Sequence, residues 1–465
     1  LRDLHNHEAD CVRGMLGVGI VTGNPDYIRW GLDAISYYVS NTIDRDGQYY
    51  ETSAGYSAFG TSVILDMAQV AANYSPAHYP SPERFPNPKD YPYNLNFFDN
   101  PKLAAACLRA SVDLDCAGHI PGFGNAHGSL SQITTVREPY LVPYIADLFL
   151  AKSTDPDIRQ LAADRLINTS GSGDHISRSG IWCLFYAKDL KQRKASSILP
   201  KGPTLLGGRD LAILRSGEGA NRRAALMRDG CTLPHGHDDI LGLLLYGKGR
   251  DLSYEIGYGI FGTPVHVGWN QRQASHNLVV VDEDEKRPAS QFRKTPGGGT
   301  LLFGKEGPLN VVEMDGLESR AGEDVRMYRR AVSQIDISPD DSYWVDVFRV
   351  AGGQQHDYFF HGSWGENEED DFGVSGIRLA KPEAWTLAGM NPKYRGASFD
   401  KPGRSWGERI VPGEFIKELD DPNEKIGGRG WMPPPGNGYA FLYDLRSAPA
   451  AGPYSAEWRG MAPND

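Results

Sequence analysis

The hydrophobic period of the chain changes once, near residue 200, and that change limits the fold more than any other feature. Before it, apolar residues recur in steps of three and four, as on one face of a helix. "NPDYIRWGLDAISYYVSNTI" opens with Asn24 as N-cap and Pro25 at the first helical position. Ile28, Leu32, Ile35 and Val39 then follow at helical spacing. "TSVILDMAQVAANY" from Thr61 to Tyr74, "NPKLAAACLRASVDL" from Asn100, "VREPYLVPYIADLFLAKS", and "DPDIRQLAADRLIN" from Asp155 to Asn168 continue the series. Between Tyr74 and Leu95 the chain is rich in Pro, Tyr and Asn and reads as a loop. Helices of this length, joined by long loops, point to an (α/α) barrel or toroid rather than a plain bundle.

After the change, short β-rich runs are broken by Gly, Asp and Lys: "DLAILRSG", "RRAALMRDG", "ILGLLLYGKG", "HNLVVVDED", "TLLFGKEG", "LNVVEMDG", "RMYRRAVSQI", "YWVDVFRV", "HDYFFHGS" and "YAFLYDLRS". This is the pattern of an antiparallel β-sandwich. The expected class is therefore α+β and multidomain: a helical toroid over 1–195 and an antiparallel sandwich over 196–465. The connection is the basic, Ser/Pro/Gly-bearing stretch "KQRKASSILPKGPTLLGG".

Composition narrows the partners. The chain of 465 residues has a net charge of -11, which argues against nucleic acid as a general partner but allows a locally basic cleft. No apolar run is long enough to span a bilayer. The five cysteines are scattered, without a CxxC pair or a disulfide framework. The chain opens at Leu1 in mid-pattern, without a start Met or signal peptide, so it is expected to be a fragment or a trimmed form.

Chemistry concentrates in a few stretches. "LPHGHDDILGLLLYG" sets His235 and His237 two residues apart at the mouth of an apolar strand, where i and i+2 share a face. Two adjacent imidazoles point to a metal site, a proton-transfer site or both; a polar loop before a strand is the plainer alternative. One carboxylate and His276, in "ASHNLVVVDEDE", would complete a common zinc set with His237, at a spacing that suits successive antiparallel strands. His266, His356 and His361 are alternative partners for that set or, more simply, polar residues at strand ends. In the helical half, "HNHE" at His5 to Glu8 suits a helix cap. "DRDGQYYETSAGY" carries Asp46, Glu51, Ser53 and Tyr56 ahead of a helix, and "GHIPGFGNAHGSLSQ" forms a shaped glycine-rich loop.

In order and spacing, Asn-His, "DGQYYETSAGY", the Gly-rich loop, "HGHDDILGLLLYGKG" and "SHNLVVVD" resemble the heparinase II/III-like polysaccharide lyases. That superfamily has the general pattern DGSYYEGSPGY in its toroid, and GHxHAD followed by HNTVxVDG in its sandwich. The resemblance covers Asn6 to Asp282 by motif, and beyond that rests on strand pattern. It implies an (α/α) toroid and a β-sandwich with the active site in the cleft between them. The implied activity is β-elimination on a uronic-acid-containing polysaccharide of the glycosaminoglycan or alginate type, without naming the polymer. By the same resemblance Asn6 and His7 neutralise the uronate carboxylate, Tyr56 serves as base and acid, and His235 is the alternative base. His237, Glu255 and His276 would hold a Zn2+ of structural role. Glu255 stands where the family has an Asp, with Asp251 as the alternative ligand, and Asn125 also stands where relatives often have Asp. Glu51, Arg137, Trp269 and Arg272 are candidate substrate contacts, with Tyr140 a weaker one. A periplasmic or secreted location follows from the same resemblance. Two other functions stay open: a glycoside hydrolase on an α/α toroid, for which Asp46 and Glu51 would be the acids, and a silent carbohydrate-binding protein.

Overall fold

A computed structural model of the chain describes residues 6–74, 95–126, 144–166, 197–253, 255, 271–282, 296–320, 323–363, 378–380, 440–447 and 455–460. The chain divides into two units: 1–51, 55–115 and 132–200 form the first, and 52–54, 116–131 and 201–465 form the second. Two short segments that precede the strands in sequence, 52–54 and 116–131, are thus part of the second unit.

The first unit is helical. α1 spans Asn6–Thr22, α2 Pro25–Thr42, α3 Ala54–Asn73, α4 Pro101–Leu108, α5 Ala110–Asp113 and α6 Tyr144–Lys152; α7 covers 156–166. The Asn-Pro starts behave as their chemistry dictates. The Asn24 side chain accepts from the Asp26 and Tyr27 amides, and Asn100 accepts from Lys102 and Leu103, so two orphan amides are satisfied at each helix start. Asp155 caps α7 in the same way through the Asp157 and Ile158 amides. Two expectations need correction. The helix from Asn100 is not continuous to Leu114; it breaks at Arg109, whose φ of -122° leaves the helical region, and restarts as α5. The helix predicted from Thr61 begins at Ala54, so Tyr56 lies in its first turn rather than ahead of it. One apolar cluster joins these helices, with Leu16, Ile35, Tyr38, Tyr49, Ile64, Phe98, Phe149 and Leu166 at its centre. Phe98 and Phe149 meet edge to face at 5.1 Å.

The second unit holds the strands. A five-stranded antiparallel sheet runs β1 (Thr204–Leu206), β2 (Leu211–Ser216), β3 (Arg223–Arg228), β4 (Leu243–Gly247) and β5 (Arg250–Asp251) in spatial order. A four-stranded antiparallel meander follows: β7 (Gly299–Glu306), β8 (Leu309–Asp315), β9 (Val325–Asp336) and β10 (Ser342–Gly352). A third sheet is ordered β12-β14-β13-β11-β6, from β6 (Val279–Val281), β11 (His356–Ser363), β12 (Arg378–Ala380), β13 (Ala440–Ser447) and β14 (Ser455–Gly460). Each β-rich run of the sequence falls on one of these strands. The antiparallel expectation fails at one pair, because β12 and β14 run parallel.

The core of this unit is a shared apolar layer. Ala212, Leu214, Ala225, Met227 and Leu243 of the first sheet meet Val312, Met314, Tyr328 and Val332 of the meander, with Val279 and Val281 of β6. Along β9 burial alternates, so Tyr328, Arg330, Val332 and Gln334 point inward. Arg330 is fully buried and fully engaged. Its Nε and Nη2 meet the Asp346 carboxylate at 2.8 and 2.7 Å, and Nη1 donates to the carbonyls of Leu241, at 2.7 Å, and Asn277. Burial pulls the guanidinium pKa down, but the Asp346 charge and hydrogen bonds outweigh it and hold Arg330 above its ordinary value. The two carbonyls it clamps belong to the segments that carry the candidate site.

Candidate functional site

The site grows from the 229–242 loop between β3 and β4. The sequence places His235 and His237 on one face of a strand edge. The structure places them in a loop where that alternation does not apply, because His235 has a φ of +62°. A non-glycine residue in the left-handed region is held there by its surroundings. The His235 carbonyl accepts from the Asn125 amide at 2.8 Å, and the neighbouring Pro234 carbonyl accepts from the Thr52 amide at 3.1 Å. Thr52 Oγ1 accepts in turn from the Leu233 amide at 2.9 Å. Gly124 makes this packing possible: a Cβ there would lie 2.1 Å from the Thr52 carbonyl oxygen and 2.7 Å from that of His235. Arg228 and Asp239 close the base of the loop with a buried ion pair at 2.5 Å.

His237 turns into the protein and is fully buried, whereas His235 keeps 8% of its surface exposed. The His237 ring lies 5.4 Å from the His276 ring, centroid to centroid. Nδ1 of His276 is 2.8 Å from Oε2 of Glu255, and both side chains are buried. Burial lowers the His276 pKa, but the Glu255 charge and hydrogen bond, with Asp239 and Asp238 nearby, raise it overall. One donor atom from each of His237, Glu255 and His276 lies within 4.8 Å of the others, and this is the one such group among the described residues.

These residues fit a zinc ion on the structure's own terms. The donor set is two imidazoles and a carboxylate, and Nε2 of His276 is buried without a hydrogen-bond partner. Among the described residues Glu255 brings the carboxylate of the group; the backbone of Asp251, the alternative, pairs with Tyr246 in β5.

The remaining candidates are distributed as follows. His276 closes the 3-10 turn Gln273–Ser275, and the Asn277 side chain donates to the Leu243 carbonyl at 2.8 Å. Asn6 is buried at the first position of α1, with its amide on Oε1 of Glu51 at 3.2 Å, and His7 beside it is exposed. Glu51 was read as a substrate contact, but it is 2% exposed and anchors the start of α1, where a carboxylate suits the helix dipole. Tyr56 is half-buried in the first turn of α3. Arg272, expected to reach a substrate anion, is buried, and its carbonyl accepts from Ser275 Oγ at 2.8 Å. Arg137, Tyr140, Trp269 and His266 lie outside the described residues. His356 opens β11 and His361 lies within it; their Nε2 atoms are 2.7 Å and 2.9 Å from the carbonyls of Gly352 and Ala274. Burial pushes the His361 pKa down to about 3.

Two residues carry more than the sequence showed. Asn125, whose role was open, places Oδ1 2.9 Å from His237 Nε2. Asp229 sits in what reads as an "RDG" turn. It is fully buried, neither carboxylate oxygen has a hydrogen-bond partner, and its pKa is pushed up to about 7, by burial first and then by the charge of Asp210.

Compared by sequence, the chain matches no family model and no curated protein. Compared by structure, it is similar to a heparinase III with methylated lysines, at 15% identity and a TM-score of 0.50, over 79% of this chain and 48% of that one. A second heparinase III structure shares 15% identity at a TM-score of 0.49, over 77% and 49% of the two chains. Heparan sulfate lyase from Pedobacter heparinus shares 15% identity at 0.43, over 72% and 44%. The chain thus spans about half the length of these solved structures. At this identity the likeness to the first is one of fold: helices followed by antiparallel sheets. No described helix is long and apolar enough to cross a membrane.

Proposed function

We propose that this chain is the catalytic part of a polysaccharide lyase that cleaves a uronic-acid-containing polymer by β-elimination. The observation that carries the reading is the buried His237–Glu255–His276 group, whose His237 lies two residues from His235 in the 229–242 loop. The likeness in fold to a heparinase III supports it, and makes heparin-type polymers, heparan sulfate among them, the first to try. On this reading the helical unit is part of an (α/α) toroid, and the enzyme meets its polymer in the periplasm or outside the cell.

The chemistry requires three actions at the uronate. Donors must neutralise the carboxylate where enolate charge develops; Asn6 and His7 are assigned this role. A base must take the C5 proton, whose electrons form the C4–C5 double bond as the C4–O bond breaks. An acid must protonate the departing glycosidic oxygen. Tyr56 takes the roles of base and acid, with His235 as base for the opposite C5 epimer. A zinc ion held by His237, Glu255 and His276 would supply a fixed positive charge and a structural tie. The protein's own contribution is to hold the 229–242 loop, so that His235 keeps its left-handed backbone and its partial exposure.

The test is ultraviolet absorbance during incubation with heparan sulfate, chondroitin, hyaluronan and alginate. A rise from the conjugated double bond, absent in Tyr56→Phe, is expected on at least one polymer. Saturated reducing ends without that absorbance would instead establish hydrolysis.

A further inference from the structure

Asn125 lies 112 residues before His237 in sequence, yet it touches the ring and is held in place by two further contacts. Its amide donates to the His235 carbonyl at 2.8 Å, its carbonyl accepts from Ser53 Oγ at 2.7 Å, and its side-chain Oδ1 is 2.9 Å from His237 Nε2. Asn125 is 1% exposed and His237 is fully buried, so water has little access to either side of this contact.

A carboxamide oxygen only accepts hydrogen bonds. Its partner Nε2 must then carry the proton of the neutral ring, and the lone pair is left on Nδ1. A metal needs that lone pair, and in metal sites the hydrogen bond on the other ring nitrogen decides which atom offers it. We infer that Asn125 is a positioning residue: it locks His237 as the Nε2–H tautomer and so presents Nδ1 to a cation shared with Glu255 and His276. The backbone contacts of Asn125 extend the same lock to His235. One residue thus sets both the tautomer of His237 and the left-handed turn at His235. This inference rests on the metal reading above.

Two measurements test it and separate its failure from that of the metal reading. In metal-free protein labelled with nitrogen-15 histidine, the His237 signals, identified by their loss in His237→Gln, should show the Nε2–H tautomer. An Nδ1–H pattern or an averaged mixture would overturn the inference. Zinc affinity is then measured by chelator competition. Asn125→Ala should weaken it about 10–100-fold, whereas Asn125→Asp, which keeps an acceptor oxygen, should hold it within a few-fold of the unaltered chain. Tight zinc binding by the unaltered chain, equalled by Asn125→Ala, would overturn the inference alone. No zinc binding by the unaltered chain would overturn the metal reading and this inference with it.

Discussion

His276 and Glu255 meet at 2.8 Å inside the protein, with 1% and 5% of their side chains exposed. A buried imidazole against a buried carboxylate is stable as an ion pair or as two ligands of one cation, and the approach of His237 favours the second. Replacing His237 by Ala should therefore reduce zinc from about one ion per chain to a small fraction. The melting temperature should fall when zinc is present and little when it has been chelated away, because a ligand stabilises only the state that binds it. Metal analysis with calorimetry in both conditions checks this; equal zinc in His237→Ala would remove the assignment.

His235 should behave differently. On the proposed mechanism, His235→Ala and Tyr56→Phe remove proton-transfer groups and leave the three donors of the metal group in place. Each should lower kcat by about 10²–10⁴-fold on the polymer whose C5 epimer it serves. Zinc content and unfolding midpoint should stay near those of the parent. Parallel activity and metal measurements on the two variants decide it.

Asp229 gives a pH dependence with a definite sign. Its folded pKa is pushed up to about 7, well above an exposed carboxyl. The folded state therefore keeps a proton that the unfolded chain releases between about pH 4 and pH 7. The contribution is fully present below the unfolded pKa and is lost as pH rises, at up to about 1.4 kcal/mol per unit. Asp229→Asn should remove this slope, so that the variant gains on the parent from pH 5 to pH 8. Urea unfolding at the two pH values measures it, and an unchanged difference would show that Asp229 is not the group.

Arg330 ties the strands to the site. Arg330→Met leaves the partly buried Asp346 carboxylate without its cation and frees the Leu241 and Asn277 carbonyls. A loss of about 3–5 kcal/mol is expected, as for one partner of a buried pair removed alone. Because Asn277 follows His276, weakened zinc retention should accompany it. Denaturant titration and zinc analysis of the same sample check both effects.

Local chemistry explains what could be read in advance. Asn24-Pro25 and Asn100-Pro101 announce helix starts because the cap and the first turn are built from adjacent residues. Ten of the fourteen described strands were legible because each is a short apolar run between breakers; β1, β5, β12 and β14 are too short or too polar to announce themselves. The start of α3 was not: Gly55, Ser57 and Gly60 are weak helix formers, and Gly60 is needed because Tyr49 packs over it, where a Cβ would lie 2.7 Å from the ring. The motif residues His237, Glu255 and His276 come together, but the positive φ of His235 and the contact of Asn125 depend on segments more than a hundred residues apart. No local spacing reports such a pairing, and the same holds for the burial of Glu51 and Arg272.

The most direct test of elimination is the mass of the products from heparan sulfate digested to completion. Elimination adds no water at the broken bond, so each oligosaccharide bearing a new non-reducing end should be lighter by one water than its hydrolysed counterpart. That mass, lost in Tyr56→Phe, is the result expected. Products carrying the added water would contradict the account.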